Sequence, residues 1–73
     1  MLMHMVRSAN VKAVGHNPIT NELFIEFKGS GLYVYEGVPS EEFERLMGAP
    51  GIGRYLARHI KDRYRFRRLS TDG

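Results

Sequence analysis

The stretch with the most chemical content is APGIGRYLARHI, Ala49 to Ile60. A proline and two glycines precede a helical pattern that carries Arg54 and Arg58. Glycines let a backbone come close to a phosphate, and the free N–H groups at a helix start point toward such an anion. Gly51, Ile52 and Gly53 would then supply backbone donors, while Arg54, Arg58 and Lys61 supply charge from one helical stripe. Arginine at two of the three positions favours phosphate contact. The alternative needs no ligand: glycine stops a helix and Pro-Gly makes a turn. Both readings stand at this stage.

Further along, RYRFRR interleaves Arg63, Arg65, Arg67 and Arg68 with Tyr64 and Phe66, a pattern that grips a single strand by charge and stacking. Charge is unevenly distributed. Residues 1–51 hold four basic and six acidic side chains, a net of −2; residues 52–73 hold seven basic and two acidic, a net of +5. A basic end on a slightly acidic body suggests an anionic partner.

Catalysis and metal binding find little support. His4, His16 and His59 are scattered without metal-ligand spacing, and cysteine is absent. No nucleophile elbow, phosphate-binding Walker loop or carboxylate pair appears. Glu41, Glu42 and Glu44 read as helix-start charges. His59 falls in an apolar stripe and reads as a buried structural histidine, so the expectation is a non-enzyme without cofactor or metal.

These residues need elements to hold them. The chain has 73 residues, 42% hydrophobic and 26% charged, which fits one small globular domain. Such a chain buries only about 60% of its unfolded surface. No run reaches the ~20 apolar residues of a membrane span, and the lack of cysteine fits a reducing, cytoplasmic setting. In ELFIEFKGSGLYVYEG, alternation predicts a hairpin with Gly29-Ser30 as a two-residue turn. That register pairs Phe27 with Leu32, Ile25 with Val34, Glu26 with Tyr33 and Phe24 with Tyr35. NVKAVG reads as a preceding strand with Ala13 opposite Ile25 and Lys12 against Glu26, and HNPITN as its loop.

One sheet face then carries Val11, Ala13, Leu23, Ile25, Phe27, Leu32 and Val34. The other carries Val14, Phe24, Tyr33 and Tyr35, where Phe24, Tyr33 and Tyr35 form either a stacking surface for bases or an interface covered by a helix or a second copy. Ser40 reads as the cap of a first helix with Phe43, Leu46 and Met47 inward. A second helix turns Ile52, Tyr55, Leu56, His59 and Ile60 inward. The predicted fold class is α+β: a three-stranded antiparallel meander followed by two helices, β-β-β-α-α, with residues 1–6 a loose or partly docked terminus, 7–66 the domain and 67–73 a frayed tail. RYRFRR reads as a short strand or an extended arm.

Two family resemblances follow from these residues. PGIG, with Ala57, Ile60, Leu46 and Ala49 at the matching positions, resembles a helix-hairpin-helix motif, which implies sugar-phosphate contact without reading sequence. Ser8, then Leu23, Ile25 and Phe27, then GLYVYEGVP, then Ala49, Gly53, Tyr55, Leu56, Ile60 and Tyr64 resemble the KTSC domain, named for the C-terminus of some lysyl-tRNA synthetases and found also as small bacterial and phage proteins. That resemblance implies a small α+β unit with a role in RNA binding. Gly51 stands where a serine is usual, Ala57 where an asparagine is common, and His16-Asn17 where Tyr-Asp is typical.

Three functional expectations result. The first is a non-catalytic nucleic-acid-binding module, RNA favoured over DNA by the resemblance alone. The second is an interaction or homodimerisation module using the aromatic face. The third is capture of a small anionic ligand such as a nucleotide.

Overall fold

In the computed structural model, which describes residues 2–69, five antiparallel strands form one sheet in the order β1-β2-β3-β4-β5. The strands are β1 (Met3–Met5), β2 (Val11–Asn17), β3 (Glu22–Phe27), β4 (Gly31–Tyr35) and β5 (Phe66–Arg68). Helices α1 (Ser40–Met47) and α2 (Ile52–Tyr55) lie between β4 and β5 in sequence, and α2 runs on into a π-helical segment, Leu56–Ile60. The α+β class and the central meander agree with the sequence reading. Two strands are added, one at each end. The N-terminal segment is docked: Met3 pairs with Gly15 and Met5 with Ala13. RYRFRR ends in a strand, with Arg67 opposite Val34 and Phe66 opposite Tyr35. Of the tail read as frayed, residues 70–73 lie outside the described residues.

The register departs from expectation by one residue in two places, and each slip has a local cause. Lys28, Gly29 and Ser30 form a three-residue loop, so Phe27 faces Gly31, Ile25 faces Tyr33 and Leu23 faces Tyr35. Gly29 at φ +79 and Gly31 at φ +94 take the left-handed backbone this loop requires. In β2, Val11 does face Phe27, as Ala13 opposite Ile25 would require, but a bulge at Lys12 then sets Ala13 against Glu26 and Val14 against Ile25. Because side chains alternate with period two, a one-residue shift moves a whole set to the opposite face.

The consequence is a different division of faces. Val11, Val14, Leu23, Ile25 and Tyr35 join Val38, Leu46, Ile52, Leu56 and Ile60 in the core between sheet and helices. Phe24, Glu26 and Leu32 lie on the other face with Val34, which is buried between Phe24 and Arg67. The surface expected from Phe24, Tyr33 and Tyr35 together is therefore not formed: Phe24 is on the outer face, and Tyr35 is covered by its own chain.

The loops are tied to this frame. Asn17 Oδ1 accepts the Ile19 N–H and its carbonyl accepts the Asn21 N–H, closing the turn that Asn17-Pro18 predicts. Strand β2 extends through Asn17, so His16 is a strand residue; its Nε2 donates to the Val38 carbonyl at 2.7 Å and its ring stacks on Phe43 at 5.1 Å. Pro39, not Ser40, occupies the cap of α1, and no side chain caps it. Among the described residues, no helix is long and apolar enough to cross a membrane.

Candidate nucleic-acid interface

The Gly48–Gly51 break sets α2 at an angle that buries Ile52, Leu56 and Ile60. On its outer side the chain forms a shallow cleft of about 360 Å³ lined by Ala49, Pro50, Gly51, Arg54, Tyr55, Arg58 and His59. Three of the residues expected to meet a phosphate, Gly51, Arg54 and Arg58, thus come together. Arg54 and Arg58 are exposed, and neither has an ion pair or side-chain hydrogen bond among the described residues.

His59 corrects the sequence reading. It is exposed, and its ring lies 4.4 Å from that of Tyr55 in the wall of this cleft. The wider π-helical turn, in which the Lys61 N–H bonds back to the Leu56 carbonyl, rotates His59 out of the stripe that ordinary helical spacing assigns to it.

The remaining expected residues scatter. Ile52 is in the core. Gly53 meets the protein rather than solvent: a Cβ there would stand 3.4 Å from Ser8 Oγ, which also accepts the N–H groups of Asn10 and Val11 at 3.3 Å. Gly51 is not crowded, since a Cβ there would make an ordinary 3.7 Å contact with the Arg54 Cβ. Lys61 sits over the Phe27 ring, 5.3 Å from its centroid, in a second cleft. Arg67 is committed to the outer sheet face, where its guanidinium contacts Glu22 and Glu36 at 3.1 Å each. Arg65 lends its carbonyl to the Glu36 N–H, and Arg68 lies opposite Tyr33 in β5. The arginine arm is thus a paired edge strand, not a free arm.

The residue that sequence reasoning misjudged most is Glu42. It is only 5% exposed. Its carboxylate accepts hydrogen bonds from the Tyr55 hydroxyl, from the Tyr64 hydroxyl at 3.4 Å and from the Arg45 guanidinium at 3.3 Å. Burial pushes this carboxyl up, yet Tyr55, Arg45 and the charge of Arg63 together hold it below the ordinary glutamate range. In turn the Glu42 carboxylate raises the Tyr55 phenol, while burial and then the Glu42 charge raise that of Tyr64. The signal was available: Glu42 precedes Leu46 by four residues and so shares its inward face. The cluster fixes Tyr55, one wall of the arginine cleft, to α1.

The second cleft, about 390 Å³, is lined by Phe27, Ser30, Tyr33, Tyr35, Lys61, Asp62 and Phe66. Phe27 and Tyr33 meet edge to face at 5.4 Å, and Tyr33 lies 5.8 Å from Phe66. Tyr33 and Tyr35 come from the aromatic face read in the sequence and Phe66 from the stacking pattern of RYRFRR, while Phe27 was read only as a core-facing strand residue.

Comparison with known proteins places this arrangement among relatives. The model of the KTSC domain matches residues 7–64. A protein of Tsukamurella paurometabola is 35% identical over 63 residues, covering 86% of this chain and 94% of its own. A lysine–tRNA ligase of a Nostoc species is 35% identical over 60 residues, 82% of this chain but 11% of that enzyme. The crystal structure of a KTSC domain protein from Yersinia pestis superposes with a TM-score of 0.92 at 29% identity, covering 94% of this chain and 97% of that one.

Proposed function

This chain belongs to the KTSC domain family, and from that premise we propose that it is a non-catalytic module that binds nucleic acid through its phosphates. The observation that carries this reading is the pair Arg54 and Arg58: exposed, unpaired among the described residues, and set on the rim of one cleft. By contrast Arg45 is held by Glu42, and Arg67 by Glu22 and Glu36. A side chain left without an acid partner on a fixed helix is available to an oxyanion at little reorganisation cost. Gly51 beside them leaves the backbone open to approach, in keeping with the helix-hairpin-helix resemblance, and His59 adds a ring nitrogen to the same rim.

RNA is placed ahead of DNA because a related segment occurs within a lysine–tRNA ligase, an enzyme that acts on tRNA. A cytoplasmic location goes with that assignment. The contacts are to backbone rather than base edges, so strong sequence preference is not expected.

The test is fluorescence anisotropy of labelled single- and double-stranded RNA and DNA at two salt concentrations, with a labelled nucleotide as control. Polymer binding that weakens steeply with salt, and is abolished by Arg54→Glu with Arg58→Glu in a protein of unchanged circular dichroism, supports the reading. Retained binding in that double variant rejects the cleft. Absence of binding at low salt moves the function to protein interaction, and binding of the nucleotide alone moves it to small anionic ligands.

A further inference from the structure

We infer that the second cleft, between β4, β5 and the end of the π-helical segment, is a stacking site for one unpaired nucleobase of a single strand whose phosphates lie on Arg54 and Arg58. This rests on the phosphate reading and adds strandedness to it.

Phe27, Tyr33 and Phe66 form a continuous aromatic wall, with ring centroids 5.4 and 5.8 Å apart. Phe66 is 52% exposed on an edge strand; one side of its ring packs 5.4 Å from the core ring of Tyr35 and the rest faces the cleft. Over this wall stands the Lys61 ammonium, 5.3 Å from the Phe27 centroid. Ser30 and Asp62 complete the rim with hydrogen-bonding oxygens suited to the exocyclic amino groups and ring N–H of a base.

Aromatic faces, a cation and a few acceptors suit a flat, polar-edged π system better than an aliphatic side chain. A duplex keeps its bases stacked inside, so this wall discriminates for single strands. The two clefts are also connected by the chain. Arg58 lines the first cleft and Lys61, three residues later on the same segment, lines the second, so a strand that occupies both crosses only a few residues of one helical segment.

The test compares two labelled single strands of equal length and phosphate number, one of oligouridine and one abasic, at a single low salt concentration. The base-bearing strand should bind about tenfold tighter or more, the range of one base–aromatic stack. Phe66→Ala and Tyr33→Ala should erase that difference and leave the abasic affinity unchanged. Phe66→Leu, which keeps apolar bulk without a π face, should do the same if alanine disturbs β5. Equal binding of both strands by the wild type, with salt dependence intact, overturns the stacking site and leaves the phosphate reading standing. A base preference that survives Phe66→Leu and Tyr33→Ala likewise overturns it. Failure of both strands to bind removes the two readings together.

Discussion

The hydroxyl of Tyr55 donates to the carboxylate of Glu42, joining α2 to α1 across thirteen positions of sequence. The folded chain holds the Glu42 carboxyl below its ordinary value of 4.5. A depressed carboxylate pKa contributes stability that is fully present above the unfolded value and lost as pH falls through the folded one. Thermal melts followed by circular dichroism should therefore show Tm falling below about pH 4.5. Glu42→Gln should lower Tm at pH 7 and make that acid limb shallower. An acid limb as steep in Glu42→Gln as in the wild type would assign it to other carboxylates.

The phenols bonded to that carboxylate define the alkaline side. Tyr55 and Tyr64 are both raised above 10.0. A raised phenol contributes stability below the unfolded value that disappears as pH climbs through the folded one. Tyr55→Phe should leave Glu42 short of a donor, costing about 1–3 kcal/mol at neutral pH by urea denaturation. It should also weaken the loss of stability above about pH 10. A neutral effect at pH 7 would mean that Arg45 and Tyr64 satisfy the carboxylate without it.

Tyr35 separates the observed register from the one that strand alternation suggests. It is 3% exposed and in the core, with burial and the neighbouring Tyr33 raising its phenol. Tyr35→Ala should therefore destabilise by about 3–5 kcal/mol, enough to unfold much of a chain this small. Phe24→Ala, at a half-buried position on the outer face, should cost much less. The opposite ranking in urea midpoints would restore the shared aromatic face and the interface it implied.

How far the fold was legible follows from the range of the signals. Leu23, Ile25 and Phe27 announced a strand because alternation is local, and Ile52, Leu56 and Ile60 announced a helix for the same reason. What alternation cannot express is an extra residue in a turn or a bulge, and the three-residue loop at Lys28–Ser30 and the bulge at Lys12 each reversed a face. The short β1 has three residues, too few to show a period before a partner strand is known, while RYRFRR read as a strand or an arm until its pairing with β4 decided for the strand. In the site, Gly51, Arg54 and Arg58 were legible because each follows the last by about one helical turn. Glu42 was missed because its partners, Tyr55 and Tyr64, are thirteen and twenty-two residues away. His59 was misplaced because the π turn depends on packing rather than on any residue type nearby.

Gly37 carries a prediction about the loop that hands β4 to α1. It has φ +76, and a Cβ there would meet no atom within 4 Å. The cost of Gly37→Ala is therefore backbone strain alone, about 1–2 kcal/mol. Gly37→Asn should recover part of it, since asparagine tolerates that region better. Equal losses for both in urea denaturation would point to crowding that the geometry does not show.

The arginines themselves separate phosphate ligands from structural ion pairs. A phosphate contact lowers log K with log salt by about 0.7 per contact on single strands, whereas an arginine held by two carboxylates releases no counterion when nucleic acid binds. Arg54→Ala and Arg58→Ala should each reduce the salt slope by close to one contact and weaken binding similarly across sequences. Arg67→Ala, which breaks exposed pairs with Glu22 and Glu36, should leave the slope unchanged and alter stability by about 1 kcal/mol or less. A slope that falls with Arg67→Ala as much as with Arg54→Ala would place the nucleic acid across the outer sheet face and away from the Gly51 cleft.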